Sequence, residues 1–548
     1  MQYIIKYLKT LGILERIFLS ILIIILCMAT HHIFIGTAAA FDGDLASYNV
    51  LAREQILSGQ VIPSEWRVGH DIRLIYLNLI IVFLTPLGLD QLLMRSIAVF
   101  IQSIGFLAVL LAYGKHVFKD KSYLFYVPII FSYISFLYAN FVFGNSAYGY
   151  ESMVVLFSFM LLSLSINETC KLDLKHLFFS SLLIFYLSIT GTRYFAVLLL
   201  PVIISFALSY LIEYHNESYH QVLPYIKKFT LWCVCIIIFA LLGFSIYRWI
   251  AANRFVEASV SHPILRNNIN EIIRSFIFMI SGIWAYFGIG HQAELFSLRG
   301  VAYVIRYFAS FIFLFGVPFC LTKQYKNESI VVKRLIIFSW TGIALTAFIA
   351  LFTPIMVNPE AARYFITNIV LSMILSGYFL YKYMFKKSFL LGSAACIMLL
   401  AILFSFNFER VNYIVSHRPT RSRYLSESMA LRDALRDRGL SVGYASNWHA
   451  HSLTVKFEFN PHIAPVLDFD ENTAQLAAFP VLVSTAFYDY NYHTDNTFLL
   501  LSYHEHEFFQ SNIFLQYTLG EPIEVFEKSG YIILVFDYNI ASTFQLPW

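Results

Sequence analysis

Of 548 residues, 58% are apolar, 18% aromatic and only 13% charged, with a mean hydropathy of +0.66. Such a chain has too little polar surface to cover a water-soluble globule, so an α-helical polytopic membrane protein is expected. The net charge of +4 sits in short Lys/Arg clusters between apolar runs, which offers no basic face to nucleic acid and reads as a topology signal.

The run from about Ile17 to Ala40 lacks a clear cleavage pattern and is long enough to span, so it reads as a first transmembrane helix that also targets the chain. At about 20 apolar residues per span, about eleven spans are expected: 17–39, 92–114, 123–142, 152–168, 177–190, 194–212, 229–250, 302–321, 335–353, 364–381 and 388–407. The intervening segments alternate. MQYIIKYLKTLGILER, KHVFKDK, NETCKLDLKH, EYHNESYHQVLPYIKK, TKQYKNESIVVKR and KYMFKK are basic, whereas FVFGNSAYGYE, TGTR and TPIMVNPEAAR carry only Arg193 and Arg363. The positive-inside rule then places the N-terminus in the cytoplasm and the C-terminus outside.

Two further apolar stretches, 73–89 and 271–290, would reverse that alternation if they crossed, so they are expected to lie in or re-enter from the outer interface. The outer loops around them, about 40–91 and 251–301, are long. Sequons at Asn167, Asn216 and Asn327 fall on the cytoplasmic side of this topology and read as chance matches. The cysteines Cys27, Cys170, Cys233, Cys235, Cys320 and Cys396 lie in or beside apolar runs, where packing explains them.

Residues 1–407 therefore form a transmembrane domain, and 408–548 a soluble extracytoplasmic domain of α+β type. In the latter, SESMALRDALRDRG predicts a helix capped by Ser426 and closed by Gly439. LSVGYAS, FPVLVST, TFLLLS and YIILVFDY predict buried strands. His449 and His451, at i and i+2, would share a face if they lay on a strand, but neither they nor YHEHE at 503–507 fix a third metal ligand. Surface histidines are the plainer reading.

Chemistry concentrates just past the first span, in FDGDLASYNVLAREQILSGQ. Asp42 and Asp44 stand at the water boundary, where a carboxylate stays ionised and can bind a metal or take a proton. Leu45, Tyr48, Leu51, Ala52 and Ile56 form one apolar face, opposite Arg53 and Glu54. They predict an amphipathic helix resting on the membrane and ending near Gly59.

Asp44, Tyr48, Ala52-Arg53-Glu54 and Gly59 resemble the D-E-x-x-Y-A-x-x-A-R-E-M-L-x-x-G pattern in the first outer loop of GT-C glycosyltransferases, the membrane enzymes that use polyprenyl-phosphate sugars. The following RLIYLNLIIVFLTPLGLDQLLMRSIAVF is similar to that family's next stretch, an outer interfacial helix and then a span. The resemblance covers about the first 110 residues and is to the aminoarabinose transferase and protein mannosyltransferase group. It implies a GT-C-like membrane fold in the bacterial cytoplasmic (inner) membrane, a polyprenyl-phosphate sugar donor, and a glycan, lipid or protein acceptor. Asp44 would be the catalytic base, with a divalent cation such as Mg or Mn as a possible cofactor. Leu45 stands where the pattern has a second acid, and Asp71 stands near the place of a Lys found in some members.

The same resemblance marks Asp42, Glu151 and Asp71 as secondary acids. Arg193, Arg363, His70, Arg73 and His291 become candidates for the donor phosphate, with interfacial anchoring as the plainer role for the arginines. Tyr48 and Trp66 in the first loop are candidate sugar contacts. So are Tyr444 and Trp448, in a GYASNWHAHSLT stretch that resembles an element of tail domains in predicted bacterial membrane glycosyltransferases. A flippase or transporter of lipid-linked glycans, and a non-catalytic glycan-assembly protein, are the alternatives that residues alone leave open.

Overall fold

The computed structural model describes residues 11–36, 41–69, 71–144, 147–166, 172–214, 219–254, 265–266, 268–289, 294, 296–416, 420–467, 475–489, 491, 493 and 495–547. The chain divides into two units: Met1–His32, Ile101–Tyr247 and His262–Val415 in one, and Ile33–Phe100, Arg248–Ser261 and Ser416–Trp548 in the other.

Among the described residues nine helices are long and apolar enough to cross a membrane: Ile13–Gly36, Gln91–Phe118, Ala147–Ser165, Phe195–Glu213, Ile226–Ala252, Leu298–Lys323, Ile330–Phe352, Pro359–Phe385 and Phe389–Phe408. The protein is thus a helical, multi-pass membrane protein. Two of the eleven expected spans differ. The stretch 123–142 is a bent pair, Tyr123–Phe131 and Phe136–Gly144, with a 101° break, and 177–190 lies in the shorter helix Leu174–Thr190.

The break has a visible cause. Ser132 Oγ turns back to the Pro128 carbonyl, and Ser135 Oγ accepts from Tyr138 N to start the second helix. Asn407 serves the exposed backbone between them, accepting from Tyr133 N at 3.2 Å and donating to Ser132 Oγ at 3.0 Å. An apolar surround tolerates an interrupted helix only where such partners exist.

In the first unit Pro359–Phe385 is the most enclosed span, with 89% of its apolar window buried. Its charges sit at its ends. Arg363 lies in the opening 3₁₀ turn Pro359–Phe365, and Lys382, about 28 Å further along at 1.5 Å per residue, pairs with Glu328 at 2.8 Å. The helix Ile269–Tyr286, within the stretch expected to lie at the interface, is not among the crossing helices. It turns Ile269, Ile273, Phe276 and Ile277 outward and packs its small face inward. A Cβ on Gly282 would lie 2.1 Å from the Pro359 carbonyl oxygen, so this glycine lets the helix brace the turn that carries Arg363.

The second unit joins the segment after the first long apolar helix to the C-terminal fold. Asp42 caps helix α1 (Gly43–Ser58), and Gly59 follows it. Strand β1 (Trp66–Arg67) and helix α2 (Leu77–Leu84) come next. After helix α3 (Thr420–Arg436) the chain forms β2 (Val442–Ser446), α4 (Asn447–Lys456), β3 (His462–Val466), β4 (Val483–Ser484) and β5 (Thr497–Ser502). Helices α5 (Tyr503–Ser511) and α6 (Ile513–Leu519) precede β6 (Glu524–Lys528) and β7 (Tyr531–Phe536).

The main sheet has the order β3-β2-β5-β7-β6, parallel across β3, β2 and β5 and antiparallel from β5 to β6. Alternate side chains serve two cores. Ala445, Ile463, Phe498 and Leu500 pack with Leu431 and Leu435 of α3 and Leu453 of α4. Tyr444, Val466, Leu499 and Leu534 pack with Phe509 of α5 and Leu519 of α6. The result is a mixed sheet with helices packed on both faces.

Three local expectations are corrected. Ser426 lies inside α3 and does not cap it. FPVLVST contributes only β4, which leaves the main sheet and pairs antiparallel with β1. His449 and His451 lie on α4, and YHEHE opens α5, so neither histidine group shares a strand face.

His451 is buried, and its Nε2 donates to the Leu482 carbonyl at 2.9 Å. Burial pushes it down from 6.5 to about 4, and burial also pushes His462 down. Unfolding lets both histidines take up protons, so their contribution is full above pH 6.5 and lost as pH falls toward 4. Thermal unfolding of the full chain across that window should show this unit weakening with acid. His451→Gln should flatten the dependence by about one proton.

Candidate functional site

Residues 41–58 form a helix because Asp42 sits extended at its head and its side chain accepts from Leu45 N at 2.9 Å. Such a cap, with Asp44 in the first turn facing the positive end of the helix, stabilises the start by roughly 1 kcal/mol. The expectation of a helix resting on the membrane is corrected. Gly43, Leu45, Ala46, Ser47, Tyr48, Asn49, Val50, Ala52 and Gln55 are all buried, because α1 packs against both α2 and α4. Two of its buried amides reach across to neighbouring segments. Asn49 Nδ2 donates to the Gln91 carbonyl at 3.0 Å, and Gln55 accepts from Asn78 Nδ2 at 3.1 Å.

The two aspartates have separate tasks. Asp42 is spent on the cap, and burial, supplemented by the charge of Asp44, raises its carboxyl above the ordinary value. Asp44 is half-buried, and its carboxylate forms no hydrogen bond or ion pair to any described side chain. It is an open acid in a closely packed helix.

Around this turn stand several cations. Arg95, which the sequence reading passed over, donates to the Leu45 carbonyl and lies 5.6 Å from the Phe41 ring centre. Lys456, the last residue of α4, approaches the same ring, with Nζ 5.9 Å from its centre. Arg73 donates to the Tyr48 hydroxyl at 2.8 Å and pairs with Asp71 at 3.5 Å. Tyr48 packs edge-on against Tyr76, and burial raises both phenols.

The proposed sugar contacts divide sharply by exposure. Trp66 is 1% exposed, Tyr48 is buried, and Tyr444 is buried with its hydroxyl spent on the Phe487 carbonyl and Asn539. These three are packing residues. Trp448, 52% exposed in the first turn of α4, alone among the four presents an open ring. His70 and His291 lie outside the described residues.

In the first unit, three residues from distant parts of the sequence meet. Arg193 Nη2 pairs with Glu151 at 2.6 Å, and Thr367 Oγ1 donates to the other Glu151 oxygen at 3.1 Å. Glu151 is therefore a buried structural anion rather than a solvated loop acid. Arg193 also lies over the Tyr148 and Tyr364 rings at 4.6 and 5.0 Å, and Arg363 faces Tyr364 and Phe141 at 5.8 Å each. Arg363 differs from Arg193. Among the described residues no carboxylate lies within ion-pair distance of it, whereas Arg193 is held by Glu151. An arginine held between aromatic rings and lacking a counter-ion suits an incoming oxyanion.

Among the described residues no group of three or more His, Cys, Asp or Glu is gathered as a metal site. Of the residues outside the sequence reading, Tyr148 and Tyr364 adjoin motifs already singled out, whereas Lys456 carried no local signal. No protein family, curated protein or solved structure matches the chain.

Proposed function

We propose that the protein is a GT-C-like glycosyltransferase of the bacterial cytoplasmic membrane, with residues 1–407 as its membrane domain. The cytoplasm holds its N-terminus, and the C-terminal residues 408–548 lie outside. The observation that carries the reading is Asp44, an accessible carboxylate with no described partner at the head of a closely packed helix.

In the reaction Asp44 takes the proton of an acceptor hydroxyl, and the acceptor oxygen forms a bond to the anomeric carbon of the sugar. The bond from that carbon to phosphate oxygen breaks with inversion, and polyprenyl phosphate leaves with the electron pair. A phosphate is a good leaving group, so positioning and proton removal carry most of the catalytic burden. Trp448 offers its open ring to a sugar, and Arg363 offers its charge to a phosphate.

The test is direct. Purified protein is supplied with polyprenyl-phosphate sugars and cell-envelope acceptors, and transfer is followed by mass spectrometry. Translocation of the donor without transfer would replace this reading with a flippase.

The two arginines should separate in that assay. Arg363→Ala is expected to raise the KM for the lipid-linked donor by about tenfold with little change in unfolding temperature, as loss of a charge-assisted contact implies. Arg193→Ala strands Glu151 and should lower stability by about 3 kcal/mol, read as a drop in unfolding midpoint.

A further inference from the structure

We propose that Lys456, on the C-terminal fold, binds the phosphate of the lipid-linked donor beside the head of α1. The inference rests on the transferase reading above.

Lys456 ends α4, the helix that packs along α1. Its ammonium is half-buried, lies 5.9 Å from the centre of the Phe41 ring, and has no hydrogen bond or ion pair to any described residue. Asp42 is near enough to act on it electrostatically, but no hydrogen bond or ion pair within 4.0 Å joins the two side chains. Burial pushes the Lys456 ammonium down, and Asp42 only opposes this. Arg95 flanks the same ring and is committed to the Leu45 carbonyl.

A partly desolvated ammonium without an acceptor is costly, and a hard oxyanion relieves that cost best. A phosphate diester or monoester brings several acceptor oxygens and a full charge, and lysine binds phosphate as a point charge without demanding planar geometry. Phe41 supplies the apolar wall that keeps water from competing. A purely structural role as counter-ion to Asp42 makes the opposite prediction in the double variant below.

The experiment uses the full chain in lipid nanodiscs and compares binding of polyprenyl phosphate with binding of polyprenol of the same length. Wild type is expected to prefer the phosphate. Lys456→Gln should lose roughly tenfold or more of that preference while binding polyprenol as before, which also reports an intact fold, and Lys456→Arg should keep most of it. An undiminished preference in Lys456→Gln overturns the assignment and leaves the transferase reading in place. Recovery of the preference in Asp42→Asn/Lys456→Gln overturns it too, because Lys456 then serves only Asp42. Inorganic phosphate binding as tightly as the lipid would overturn a lipid-linked ligand. Absence of any preference in wild type sinks both proposals together.

Discussion

Asp44→Asn should lower sugar transfer by about a thousandfold, within the range ascribed to a positioned general base, and leave the unfolding midpoint unchanged. The two halves of this expectation come from one fact: the Asp44 carboxylate holds nothing in place among the described residues. Asparagine has the same shape and cannot accept the acceptor's proton. Asp42→Ala should behave in the reverse manner, costing about 1 kcal/mol of stability through the lost cap, with transfer reduced only modestly. Asp42→Asn should cost less, since asparagine caps nearly as well. Parallel rate and melting measurements on these variants decide the matter, and full transfer by Asp44→Asn would remove Asp44 as the base.

Gly43→Ala should be the most damaging small substitution in the same turn. A Cβ at this position would lie 1.8 Å from the Asn447 carbonyl oxygen, and the obstacle is backbone at the start of α4, which cannot rotate aside. Helix α1 must then shift against α4, at a cost of about 3 kcal/mol by analogy with overpacked cores. That shift moves Asp44 relative to Trp448 and Lys456 on α4, so transfer should fall along with the unfolding midpoint. A variant that melts like wild type would show that the two helices are not in close apposition.

The membrane spans were legible because about 20 consecutive apolar residues admit few other readings. The two that changed did so for local reasons. Ser132 and Ser135 break one run, and the other is enclosed in a helix of only 17 residues. In the C-terminal sheet the three inner strands β2, β5 and β7 were foreseen from their apolar runs. Both edge strands were missed. Edge β3 carries Pro465, and edge β6 carries Glu524, Glu527 and Lys528. Proline and charge protect a sheet edge from further pairing, and they erase its apolar signal at the same time. For the candidate site, the helix that follows Asp42 and Asp44 was legible from residue type and spacing. Which aspartate is spent on a cap, and which cations gather there, depends on contacts between residues about 400 positions apart, such as Phe41 and Lys456, for which local pattern carries no information.

The pairing of β1 with β4 ties Trp66 to Ser484 and Arg67 to Val483, and Thr485 N donates to the Glu65 carbonyl at 2.8 Å. A ribosome makes the first partner long before the second. Through most of synthesis β1 has no sheet neighbour, and helix α1 has no α4 to cover its small side chains. Completion of this part must therefore wait for the C-terminal strands and helices to be made, so folding here cannot proceed strictly in order of synthesis. Chains released before the C-terminal fold is made would carry the long apolar helices and an unfinished segment after the first of them, which is where quality-control proteases should cut first.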